Sequence, residues 1–220
     1  MFIGHFGIGL GAKRVAPKVS LGMLFLAAQF LDLLWPTFLL LGWERVEIEA
    51  GITKMAPLDF TYYPWSHSLL MAIFWGFVVG GSYYLYKKRR SGALIIGICV
   101  VSHWLLDLLV HTTDLPLFPG GKYYVGLGLW NHVAVEILLE SAIFIGGLVL
   151  YLNTTEATNR VGKYSFWALV IFLAGIHMAN TLGPPPPNLA AIAWAGQLQW
   201  LFVIWAFWVD KNRRLKIHNT

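Results

Sequence analysis

Long apolar runs separated by short polar stretches dominate the chain. Six of them, at 20–42, 66–86, 91–111, 129–152, 165–183 and 189–209, reach the ~20 residues that a bilayer-crossing helix needs. A further run at 2–12 is too short for a full crossing and predicts a short or half-spanning helix. The runs are continuous, where the strands of a membrane barrel would alternate in polarity. The expected fold is therefore an all-α polytopic membrane bundle of six full transmembrane helices plus a short N-terminal one, one domain over 1–220. Outside the spans, the charged and apolar residues of Trp43–Glu49 predict a short interfacial helix or strand. The run Pro184–Pro187 has no backbone donors and predicts an extended connection.

Composition agrees with this pattern. Charged residues are 12% and apolar ones 57% of the chain, against ~25% charged in a soluble domain. That excludes a soluble globule, a disordered tail and a collagen-like fibre. The net charge of +5 does not point to nucleic acid, because the basic residues sit at the ends of apolar runs. One side collects 13 of the 16 Lys and Arg: Lys13, Arg14, Lys18, Lys87 through Arg90, Arg160, Lys163, Lys211, Arg213, Arg214 and Lys216. The other side has Arg45, Lys54 and Lys122. The positive-inside rule puts the richer side, with the C-terminus, in the cytoplasm. The expected location is the bacterial inner membrane, with lipids as neighbours and other membrane subunits as candidate partners. Lys13 and Arg14 follow the first apolar run, the reverse of a secretory signal, so no cleaved leader is expected. The lone Cys99 excludes an intrachain disulfide framework and reads as a small buried apolar residue.

Ionisable residues inside spans are costly and mark function by default. Here they fall between mid-bilayer and the outer face. His5 lies nine residues before Arg14, or ~14 Å above the cytoplasmic headgroups. Asp32 is midway along its span and His67 opens the next. The stretch SHWLLDLLVHTTDLPLFP, 102–119, projects His103, Asp107, His111 and Asp114 at roughly 0°, 40°, 80° and 20° if the helix continues that far. His and Asp one turn apart can share an ion. Such ligands suit Zn²⁺ first, with Mn²⁺ or Fe²⁺ as alternatives. In SHSLL, 66–70, Ser66 is the expected helix cap. In NHVAVEILLE, 131–140, His132, Glu136 and Glu140 share one face. Glu136, Asp114 and His111 are the candidate general bases or acids. His177 with Asn180 reads as an interhelical hydrogen bond. Gly7, Gly9 and Gly11 read as close helix packing and not as a nucleotide loop, since no strand precedes them. His218 lies in the tail and is given no role.

Gly4-His5, the acid before Pro36, SHSLL and SHWLLDLLVHTTDLPLFP occur in an order and spacing that resemble the YdjM-like family of membrane-bound metal-dependent hydrolases over about residues 1–120. The resemblance implies metal ligands at His5, Asp32, His67, His103 and Asp107. It departs at Asp32-Leu33-Leu34-Trp35-Pro36, where the family often has two acids and a histidine, and at Tyr63-Pro64-Trp65, where it often has His-Arg-Gly. Three functions follow as expectations. The first is a metal-dependent hydrolase of a lipid-linked or amphipathic ester, amide or phosphoester. The second is a proton-coupled transporter, against which the inner half offers no polar path. The third is a non-catalytic accessory subunit.

Overall fold

The computed structural model describes residues 1–217, so His218 lies outside the described residues. The chain runs α1 (Ile3–Val15), α2 (Leu21–Ala28), α3 (Phe30–Leu40), β1 (Arg45–Ile48), β2 (Leu58–Tyr62), α4 (Pro64–His67), α5 (Leu69–Lys87) and α6 (Arg90–Val110). It continues through β3 (Leu115–Pro116), β4 (Tyr124–Val125), a 3₁₀ turn at Leu129–Asn131, α7 (Val133–Thr154), β5 (Thr155–Ala157), α8 (Arg160–Leu182), α9 (Leu189–Gln197), α10 (Gln199–Lys211) and β6 (Arg213–Leu215). Helices α5, α6, α7, α8 and the joined stretch Leu189–Lys211 are long and apolar enough to cross a membrane. The pair α2–α3 makes a sixth crossing if its two halves count as one span. Their apolar side chains look outward, as lipid requires: Phe77 is 77% exposed, Leu138 70% and Ile171 69%. Cys99 is buried, as its apolar surroundings predicted.

The run at 20–42 is not one straight helix. It bends by 57° between Ala28 and Phe30. Neither Gly nor Pro stands at the bend. What does stand there is a diverted carbonyl: Ala28 O accepts from His103 Nδ1 at 2.8 Å. A side chain competing for the helix ladder is a recognised cause of a kink. The run at 66–86 is also divided. Ser68, not Ser66, caps α5, accepting from Met71 N, and Ser66 is left free for another task. Helix α6 stops at Val110, and His111 leaves it with ψ 149. Leu108 O and His111 O are taken by Leu127 N and Gly128 N, so the 127–128 loop ends the helix. The projection that put His111 and Asp114 on the face of His103 and Asp107 therefore fails beyond Val110. His132 likewise precedes α7 and does not share its face.

The loop 43–65 resolves to the strand alternative. β1 and β2 pair antiparallel, Glu47 opposite Asp59 and Ile48 opposite Leu58. Prolines 184–187 lie in a non-helical link between α8 and α9. Helix α1 lies along α7. A Cβ on Gly7 would stand 2.7 Å from Ile143 O, and one on Gly147 would strike Gly7 O. Lipid provides no hydrophobic drive between helices, so this backbone-to-backbone approach is what holds the short α1 in place. Glu140 of α7 adds a cap, its carboxylate accepting from Phe2 N and Gly4 N at 2.8–3.2 Å. The cap satisfies donors that a helix start leaves open.

Candidate metal centre

The fold brings five sequence-predicted ligands together. α1 supplies His5, the first turn of α3 supplies Asp32, α4 supplies His67, and α6 supplies His103 and Asp107. All are buried but Asp32, which keeps a partly open side chain. Two triads have their ligand atoms within 4.8 Å of one another: His5, His103 and Asp107, and Asp32, His67 and His103.

The tautomers follow from the hydrogen bonds. A carbonyl only accepts, so His103 carries its hydrogen on Nδ1 toward Ala28 O. Its Nε2 then lies 3.2 Å from Asp107 Oδ2 and 3.6 Å from Asp32 Oδ1, without hydrogen-bond geometry to either. His67 is arranged the same way. Ser66 Oγ donates to Glu44 Oε2 at 2.6 Å, while His67 Nδ1 lies 2.7 Å from Ser66 Oγ. With its hydrogen spent on Glu44, Ser66 Oγ accepts from His67, which leaves Nε2 as the acceptor. His67 Nε2 stands 3.4 Å from Asp32 Oδ1 and 3.8 Å from Asp107 Oδ2. Two imidazole Nε2 atoms thus face two carboxylates, and either protons on those nitrogens or a metal ion reconciles them. A tetrahedral shell of Zn²⁺ has ligand–ligand edges of about 3.3–3.4 Å. The four separations of 3.2–3.8 Å bracket that edge. The residues fit a divalent ion.

His5 takes a different place in the cluster. Its Nε2 bonds Asp107 Oδ1 at 3.2 Å, the oxygen turned away from His67 and His103, and its ring stacks on His103 with centroids 3.6 Å apart. The Met1 nitrogen lies on the same oxygen at 2.7 Å. His5 therefore orients Asp107 and walls off His103.

Asp32, His67, Asp107, His111, Glu136, Glu140 and His177 line one cavity of about 910 Å³. Its remaining walls are largely apolar: Trp35, Leu58, Phe60, Trp130, Pro184 through Pro187 and Ile192. His111 sits in an aromatic collar, with Trp130 at 4.2 Å and Phe60 at 4.9 Å between ring centroids. Its Nδ1 is 3.2 Å from both Asp114 Oδ1 and Tyr63 Oη. Asp114 is not part of the lining and reaches the cavity only through His111. Burial pushes the Tyr63 phenol well above its ordinary range, so its hydrogen stays on the oxygen.

Glu44 carries no sequence signal beyond its alternating strand neighbours, yet it is buried and fixes Ser66 through both its backbone N and its Oγ, at 2.7 and 2.6 Å. Burial raises its carboxyl above the ordinary value, and the two Ser66 hydrogen bonds oppose that shift. His177 was expected in an interhelical hydrogen bond. Its Nε2 is instead buried without any partner. Compared with models of protein families, with curated proteins and with solved structures, the chain matches none of them.

Proposed function

We propose that the protein is an integral-membrane, metal-dependent hydrolase of an amphipathic or lipid-linked ester or phosphoester, as its resemblance to the YdjM-like family also implies. One observation carries the reading: His103 Nε2 is fully buried between two carboxylates, with a third ligand group, His67 Nε2, turned to the same carboxylates. His67, His103, Asp32 and Asp107 would hold the ion, Zn²⁺ before Mn²⁺ or Fe²⁺, and His5 would orient Asp107. Bound there, a divalent ion supplies Lewis acidity and makes water available as a nucleophile at neutral pH.

Access supports catalysis over a structural role. Asp32, His67 and Asp107 line the cavity, while His103 lies behind them. His111 is the candidate proton carrier. Asp114 takes the hydrogen of its Nδ1, which leaves Nε2 to accept a proton. The aromatic collar holds that ring and keeps bulk water from it. The apolar walls would take a hydrocarbon tail beside a polar headgroup.

Elemental mass spectrometry on detergent-purified protein tests the reading. We expect about one divalent ion per chain in the wild type, as in other sites of this ligand type, and none in His103→Ala/Asp107→Ala. A metal-free wild type, purified without chelators, overturns it and leaves the cluster to protons. The proposed orientation keeps the C-terminus in the cytoplasm. A reporter fused there should read cytoplasmic, and an outward reading would reverse the topology.

A further inference from the structure

The cavity is also lined by a second set of polar residues that the metal reading does not use. It comes from α7, α8 and α10. Glu136 is fully buried, and its carboxyl meets no donor but lies against the Glu140 carboxyl. His177 Nε2 and Gln199 Oε1 are also buried and unpartnered. All three residues line the cavity. Glu140, one turn from Glu136, has spent its oxygens on the start of α1. Among the described residues no Lys or Arg is paired with either glutamate; the Met1 ammonium, bonded to Asp107, is the charge that acts on both, and Lys54 also lines the cavity.

Its unpartnered oxygens, those of Glu136 and Gln199, are acceptors. Native proteins satisfy buried polar groups, and a buried carboxylate calls for a positive partner more strongly than any other group here. The matching ligand group has several hydrogens to donate, a positive charge and little bulk, which describes a primary ammonium. Trp35 Nε1, a buried and unpartnered donor, also lines the cavity, its ring 6.5 Å from that of His67. One cavity thus holds open acceptors, a donor and the metal-ligating cluster among largely apolar walls.

We infer that the Glu136–His177–Gln199 wall binds the primary ammonium headgroup of an amphiphile. The inference concerns the cavity's ligand and stands whether or not an ion sits at the neighbouring cluster. Joined to the hydrolase reading, it narrows the substrate to an amine-bearing amphiphile.

Three probes with one tail length separate the possibilities: octylamine, octyltrimethylammonium and octyl glucoside. Binding is measured by calorimetry on protein in lipid nanodiscs. We expect saturable binding of octylamine, at least tenfold weaker binding of octyltrimethylammonium, which has charge but no N–H, and weak binding of octyl glucoside. Glu136→Gln keeps the shape and should weaken octylamine at least tenfold. Gln199→Leu should weaken it less, and serves as the second variant if Glu136→Gln fails to fold. His103→Ala should leave octylamine binding intact, which separates this wall from the metal cluster. Equal affinity for all three probes, or octylamine binding unchanged in Glu136→Gln and Gln199→Leu, overturns the inference.

Discussion

On the wall built by α1, α3, α4 and α6, polar atoms are held in place from behind. His103 leans on Ala28 O and His67 on Ser66, which leans in turn on Glu44. On the wall built by α7, α8 and α10, Glu136, His177 and Gln199 present buried polar atoms that no donor or acceptor of another segment meets in a hydrogen bond. The first wall fixes tautomer and direction before anything binds, as a metal requires. The second leaves its hydrogen-bonding capacity open, as a recognition surface does when the partner is a ligand. Both sets of residues line a single cavity.

The comparison can be broken most severely where the walls meet. Gly7 of α1 touches the backbone of α7. Gly7→Val would force the helices apart, and overpacking of this kind costs about 1–3 kcal/mol. We expect a lower midpoint of thermal unfolding in detergent and weaker binding at both walls. An unchanged midpoint would mean that α1 is not clamped to α7. A milder change sharpens the contrast. Glu44→Gln keeps the side chain's size but removes the charge that holds Ser66, and loss of such an outer partner lowers metal affinity about tenfold. Competition against a chelating dye should read that loss, with octylamine binding untouched. Equal loss at both walls would show that the two are one unit.

The helical membrane class was legible because span length and charge placement follow directly from the bilayer. The gathering of His5, Asp32, His67, His103 and Asp107 was legible because residue types that are expensive in lipid stood at one depth. The breaks were not. The bend after Ala28 arises from a histidine 75 residues away, and no local composition encodes that. The end of α6 at Val110 depends on carbonyls taken by a later loop, so helical projection placed His111 and Asp114 on a face they do not share. Glu44 looked like an ordinary strand charge, since its burial comes from the fold around Ser66. His177 was expected to be satisfied because most buried histidines are, and only the cavity shows that it is not.

The α1 helix has a consequence for how the chain is made. Its 13 residues extend only ~20 Å, too little to hold a membrane position alone. It packs on α2 and α6 as well, but its closest backbone contact and its cap lie on α7, whose Glu140 is 136 residues downstream of Gly4. Synthesis therefore delivers His5 first and fixes it late. Until α7 is inserted, Asp107 lacks the side chain that orients one of its oxygens. The order in which the segments leave the ribosome differs from the order in which the centre closes.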